Sequence, residues 1–143
     1  HTAYRRQRQM CIRDRDIGLL SAKSDLDIRT LLEGSKVFTE FKGSITEQFV
    51  LQELKAIQNI DIAYWANDAG RAEIDFVIQL DSQIIPVEVK AGINLKAKSL
   101  NVYKEKFNPD ILVRTSLADY KKSDNLCDIP LYMIEQIKQI CNL

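Results

Sequence analysis

Two neighbouring runs constrain this chain more than any other part of it. They read Glu73-Ile74-Asp75-Phe76-Val77-Ile78-Gln79-Leu80 and Gln83-Ile84-Ile85-Pro86-Val87-Glu88-Val89-Lys90. Apolar residues recur at every second position, the period of a strand with two different faces. Asp81 and Ser82 between them are turn formers, and a two-residue loop is the commonest hairpin connection. Leu80 then pairs with Gln83, Ile78 with Ile85, Phe76 with Val87 and Ile74 with Val89, which gives a wholly apolar face. The other face carries Val77 by Pro86, Asp75 by Glu88 and Glu73 by Lys90. A slip of one residue would set Phe76 against Glu88 and mix the faces, so the hydrophobic pattern fixes the register.

Charges inside such apolar strands are rare unless they are paired, metal-bound or catalytic. The predicted register sets Asp75 beside Glu88, with Cβ atoms roughly 4.5–5.5 Å apart. Two carboxylates that close repel unless a cation or a proton lies between them. Mg²⁺ or Mn²⁺ suits an all-oxygen site of one or two carboxylates completed by water. The alternative is an ordinary cross-strand ion pair between Glu73 and Lys90, with Asp75 and Glu88 solvated.

Other residue types remove whole classes of chemistry. The only histidine is His1, which argues against a histidine-based triad or a histidine-ligated metal. Cys11, Cys127 and Cys141 lie far apart without a C-x-x-C, a usage that fits neither a zinc site nor a disulfide framework and points to a reducing cytoplasm. No apolar run approaches the roughly 18 residues of a membrane span. A chain of 143 residues suffices for one domain with a real core. Its formal net charge is zero, but residues 1–15 hold five Arg against one Asp, so the remainder carries −4. That balance is not the usual footprint of a strong autonomous nucleic-acid binder.

Residues 1–15 open with His1 rather than Met and run Tyr4-Arg5-Arg6-Gln7-Arg8 onward without useful periodicity. They resemble translated sequencing-adaptor sequence. We expect a non-native leader, with a basic nucleic-acid arm as the alternative, and a folded region over residues 16–143 that is a fragment of a larger protein. Within it, residues 16–33 read as short helical turns. A helix starts at Ser44, with Ile45, Phe49, Val50, Leu51, Leu54 and Ile57 apolar on most sides. A strand spans 60–66, the hairpin follows, and a helix over 99–107 ends at Asn108-Pro109. A short strand spans 110–115, another covers 130–133, and a C-terminal helix closes the chain. There is no G-x-x-x-x-G-K-[ST] and therefore no P-loop in this stretch.

Glu47 falls in the first turn of the helix that starts at Ser44, between Leu51 and Leu54 in projection. Ser44-x-x-Glu47 matches a capping box, which would stabilise the helix start by itself. A third carboxylate aimed at the hairpin is the functional reading.

The helix–strand–strand–strand–helix–strand order, with Asp75 and Glu88-Val89-Lys90, resembles the PD-(D/E)XK nuclease-like superfamily. More narrowly, the stretch from Phe41 to Leu54, Tyr64-Trp65, Glu73-Ile74-Asp75-Phe76-Val77-Ile78, Pro86-Val87-Glu88-Val89-Lys90 and Pro130-Leu131-Tyr132-Met133-Ile134 resemble the domain of unknown function (DUF) 4143 family. The resemblance implies an α/β fold with a restriction-endonuclease-like αβββαβ core, a mixed sheet flanked by helices. It implies that Asp75 and Glu88 ligate Mg²⁺ or Mn²⁺ with the Val89 carbonyl, that Lys90 acts on the attacking water and on developing phosphorane charge, and that Glu47 holds a water of the metal. The implied activity is metal-dependent phosphodiester hydrolysis of DNA, in the C-terminal part of a prokaryotic protein that begins with an AAA-type ATPase domain. The alternative is a non-catalytic module that holds nucleic acid or protein beside the ATPase.

Overall fold

The computed structural model describes residues 36–67, 71–93 and 96–142, with side chains from Lys42 onward. The expected leader and the helical turns over 16–33 lie outside the described residues. The chain divides into two compact units, residues 1–52 and 53–143, and the division falls within helix α1, Lys36–Ala56.

Helix α1 corrects one expectation. It begins eight residues before Ser44, so Ser44 is interior and Ser44-x-x-Glu47 is not a capping box. Nothing from Lys36 to Lys42 breaks a helix, and Gly43 in a helix interior costs only about 1 kcal/mol relative to Ala. A Cβ at Gly43 would meet nothing within 4 Å, so close packing does not demand glycine there. One turn on, the Thr46 hydroxyl donates back to the Lys42 carbonyl at 2.7 Å.

The second unit is built on a six-stranded sheet. Its strands are β1 (Ile60–Ala66), β2 (Glu73–Leu80), β3 (Gln83–Val89), β4 (Leu112–Ser116), β5 (Lys121–Ser123) and β6 (Leu126–Pro130), in the order β1-β2-β3-β4-β6-β5. The first three are antiparallel, β3–β4 and β4–β6 are parallel, and β5–β6 is antiparallel. A parallel neighbour requires a crossover, and α2 (Lys98–Phe107) supplies it between β3 and β4. Helix α2 ends where Asn108 takes a left-handed φ of 43° and its N–H caps the Lys104 carbonyl. Pro109 then prevents continuation. After β6 come a 3-10 segment, Leu131–Gln136, and a short α3, Ile137–Cys141. The molecule is therefore α/β with a mixed open sheet and three helices among the described residues.

One strand expectation shifts, and one strand was not expected at all. The last strand lies at Leu126–Pro130, and residues 131–133, read as strand from the sequence, belong to the 3-10 segment. Strand β5 is polar and fully exposed at the sheet edge, so it has no apolar signal to read.

The hairpin has the predicted register from Leu80–Gln83 to Phe76–Val87, and Asp81 adopts the positive φ (53°) that its turn needs. Ile78, Leu80, Ile85 and Val87 are fully buried, as an inward apolar face requires. The pattern changes at Asp75. Along β1–β2 the partners pass from Ala63–Val77 to Trp65–Ile74, so Tyr64 alone faces both Asp75 and Phe76. This is a bulge of one extra residue on β2. Beyond it, Ile74 does not continue the apolar face of the hairpin. It packs with Leu100 and Tyr103 of α2 and Leu112 of β4, against Val77 and Trp65.

Candidate functional site

The β2–β3 ladder ends one rung before the predicted Asp75–Glu88 pair. Proline lacks an N–H, so Val77–Pro86 is a rung whose main-chain groups point away from the partner strand. Alternation then aims the main-chain groups of Val87 and Val89 at β2, and those of Glu88 and Lys90 at β4. The bond from the Lys90 N–H to the Thr115 carbonyl, 2.8 Å, agrees. The Val89 N–H meets no carbonyl of β2. It donates to Asp75 Oδ2 at 2.8 Å. The bulge thus re-aims Asp75 so that its carboxylate closes the ladder and lies against the amide that follows Glu88. The same alternation turns the Val89 carbonyl toward Asp75's strand.

Glu88 is buried, 5% exposed, because β3 is interior to the sheet and covered on this face. Its Oε1 accepts from Lys90 Nζ at 2.5 Å, an i,i+2 pair on one strand face. Its Oε2 is buried without a hydrogen-bond partner. Burying a carboxylate oxygen unsatisfied is costly. Lys90 keeps 29% of its side chain exposed while its ammonium pairs with the buried carboxylate.

Sequence reasoning passed over a second ion pair beside this one. Arg114 of β4 is the Cα partner of Glu88, and Asp128 of β6 is the Cα partner of Arg114. The guanidinium grips Asp128 through two bonds, Nε to Oδ1 at 2.6 Å and a terminal nitrogen to Oδ2 at 2.9 Å. Both side chains are nearly enclosed, 11% and 6% exposed. Lys121 of β5 is opposite Asp128. One row of the sheet therefore reads Glu88, Arg114, Asp128, Lys121, with alternating charge. The signal that singles out Asp75 was present here too: Arg114 follows Leu112-Val113, and Asp128 sits between Cys127 and Ile129.

Asp75, Glu88, Val89 and Lys90 are thus brought together. Glu47 is half-buried on α1 in the first unit, whereas the other four belong to the second. Trp65 packs edge-on against Tyr103, centroids 5.1 Å apart, and stands in the aromatic cluster beside α2. Among the described residues no group of three or more His, Cys, Asp or Glu side chains converges as a cation site. Two carboxylates and a main-chain carbonyl are nevertheless hard donors that match Mg²⁺ or Mn²⁺, which keep several waters. The buried, unpartnered Glu88 Oε2 is an oxygen that such an ion would satisfy.

The family model described as Domain of unknown function (DUF4143) matches residues 42–134, a span that contains all of these side chains. No curated protein and no solved structure matches the chain.

Proposed function

This chain belongs to the DUF4143 family, and we propose that its second unit is a PD-(D/E)XK-type site for metal-dependent hydrolysis of DNA phosphodiesters. The observation that carries the reading is the buried Glu88 Oε2 without a partner, next along the chain from the amide that holds Asp75. Asp75, Glu88 and the Val89 carbonyl would hold Mg²⁺ or Mn²⁺. When bound, the ion supplies positive charge that polarises a phosphoryl oxygen. The chain's own residues do the rest. Val89 fixes the Asp75 carboxylate through its N–H. Lys90 holds an ammonium against Glu88, from where it would stabilise negative charge that grows on the phosphoryl group. The sheet and its crossover helix would be a restriction-endonuclease-like core, attached in the full-length cytoplasmic protein to an AAA-type ATPase domain. No helix among the described residues is long and apolar enough to cross a membrane.

A second reading has one observation in its favour. The Glu88–Lys90 pair already answers one carboxylate oxygen internally, as a non-catalytic interaction module would need. A plasmid-nicking assay with Mg²⁺ or Mn²⁺ separates the two. The nuclease reading expects cutting that Lys90→Ala and Asp75→Asn abolish. Absence of cutting, or cutting unchanged by both substitutions in folded variants, favours the module.

A further inference from the structure

Helix α2 lies over β2 and β3. Between it and the strands on its far side runs a cleft of about 500 Å³. Its walls carry Lys96, Lys98, Lys104 and Arg114, the last gripped by Asp128, with Asp124 as the carboxylate of the lining itself. That excess is local: the whole chain has 20 basic and 20 acidic residues, and outside residues 1–15 the acids lead by four. The cleft is also braced. Lys104 Nζ donates to Asn125 Oδ1 at 3.0 Å, and Asn125 Nδ2 donates to the Pro109 carbonyl at 3.1 Å. These bonds tie the helix to the β5–β6 turn across the opening. Arg114 is held by Asp128 and is the Cα partner of Glu88. One residue of the cleft wall therefore stands in the same strand row as Glu88, on the neighbouring strand about 4.8 Å away at ordinary spacing.

We propose that this cleft binds the phosphodiester backbone of a nucleic acid and leads it to the Glu88 row. The inference rests on the nuclease reading for where the strand goes, and deepens it by assigning where the polymer is gripped. A polymer fits better than a small anion. Lys98 and Lys104 are six residues apart on α2, about 9 Å along the axis, which spans about two to three phosphates of a strand at about 3.4 Å of axial rise each. Lysines on flexible stems, with Asn101 and Asn125 as neutral donors, suit contacts to phosphate and sugar that carry no sequence information.

The test is fluorescence anisotropy of a labelled DNA duplex titrated with the chain in EDTA, over a salt series, so that no metal site enters the readout. Wild type is compared with Lys96→Gln/Lys98→Gln/Lys104→Gln, and with Lys55→Gln/Lys106→Gln as a charge control outside the cleft. Each phosphate neutralised contributes about 0.9 to the slope of log K against log salt. The triple variant is expected to lose roughly 2–3 units of slope and at least about ten-fold in low-salt affinity, with its fold intact and only the small drop in melting temperature that loss of the exposed Lys104–Asn125 bond implies, and the control to lose far less. No binding by wild type at low salt, equal losses in both variants, or equally potent competition by polyglutamate would each overturn the proposal. If the triple variant loses DNA while metal titration finds no ion at Asp75 and Glu88, the cleft stands and the nuclease reading falls. If an ion binds there while the triple variant keeps its DNA affinity, the cleft falls and the nuclease reading stands.

Discussion

Asp75 Oδ2 accepts the Val89 N–H at 2.8 Å in the place where a main-chain carbonyl would continue the β2–β3 ladder. A carboxylate used in this way is structural. Asp75→Ala leaves the amide of Val89, a residue only 8% exposed, without its acceptor, and we predict a loss of about 1–3 kcal/mol in urea denaturation. Asp75→Asn keeps an acceptor oxygen and should cost clearly less. Equal losses from the two would show that the hydrogen bond contributes little.

The Arg114–Asp128 pair gives a sharper stability prediction. Asp128→Ala takes the two-bond partner from a nearly enclosed guanidinium and should destabilise by up to about 3–5 kcal/mol. Replacing both partners with apolar residues, as in Arg114→Met/Asp128→Leu, should cost much less, because no buried charge is left alone. A double-mutant cycle by chemical denaturation measures the difference. A double variant as unstable as the single one would contradict this expectation.

Cys141 supplies a pH dependence. Burial pushes its thiol up, and the neighbouring Cys127 thiol adds to this, so that it ionises at about 12 against 9.0 in the unfolded chain. The folded state holds the proton more tightly. Its contribution is therefore complete below about pH 9 and fades as pH rises toward 12. The stability difference between wild type and Cys141→Ala should be constant from pH 7 to 8.5 and shrink above pH 9. A difference that grows with pH would invert the sign and refute the assignment.

How much of this could be read from residues alone depends on how local each signal is. The hairpin was legible because alternation and the Asp81-Ser82 turn together allow one register. Strand β1, helix α2 and its Asn108-Pro109 stop were legible for the same kind of reason. The bulge was not: Glu73-Ile74-Asp75-Phe76 alternates perfectly, and only pairing with β1 shows that Tyr64 faces two residues. The start of α1 was misread because Ser44 and Glu47 have capping-box spacing while the residues before them also favour helix. Arg114 and Asp128 meet across 14 residues through parallel pairing, which no local pattern encodes. The grouping of Asp75, Glu88, Val89 and Lys90 was visible in the sequence; the Val89 amide that fixes Asp75 was not.

The proposed chemistry stands or falls on whether Asp75 and Glu88 hold one divalent ion. Calorimetric titration of Mn²⁺ into the purified chain decides it. We predict one ion per chain, a melting temperature that rises with Mn²⁺ by mass action, and affinity weakened roughly ten-fold or more by Asp75→Asn and by Glu88→Gln, as expected when an anionic ligand is lost. No binding by the wild-type chain, or the same affinity in all three proteins, would contradict the metal site.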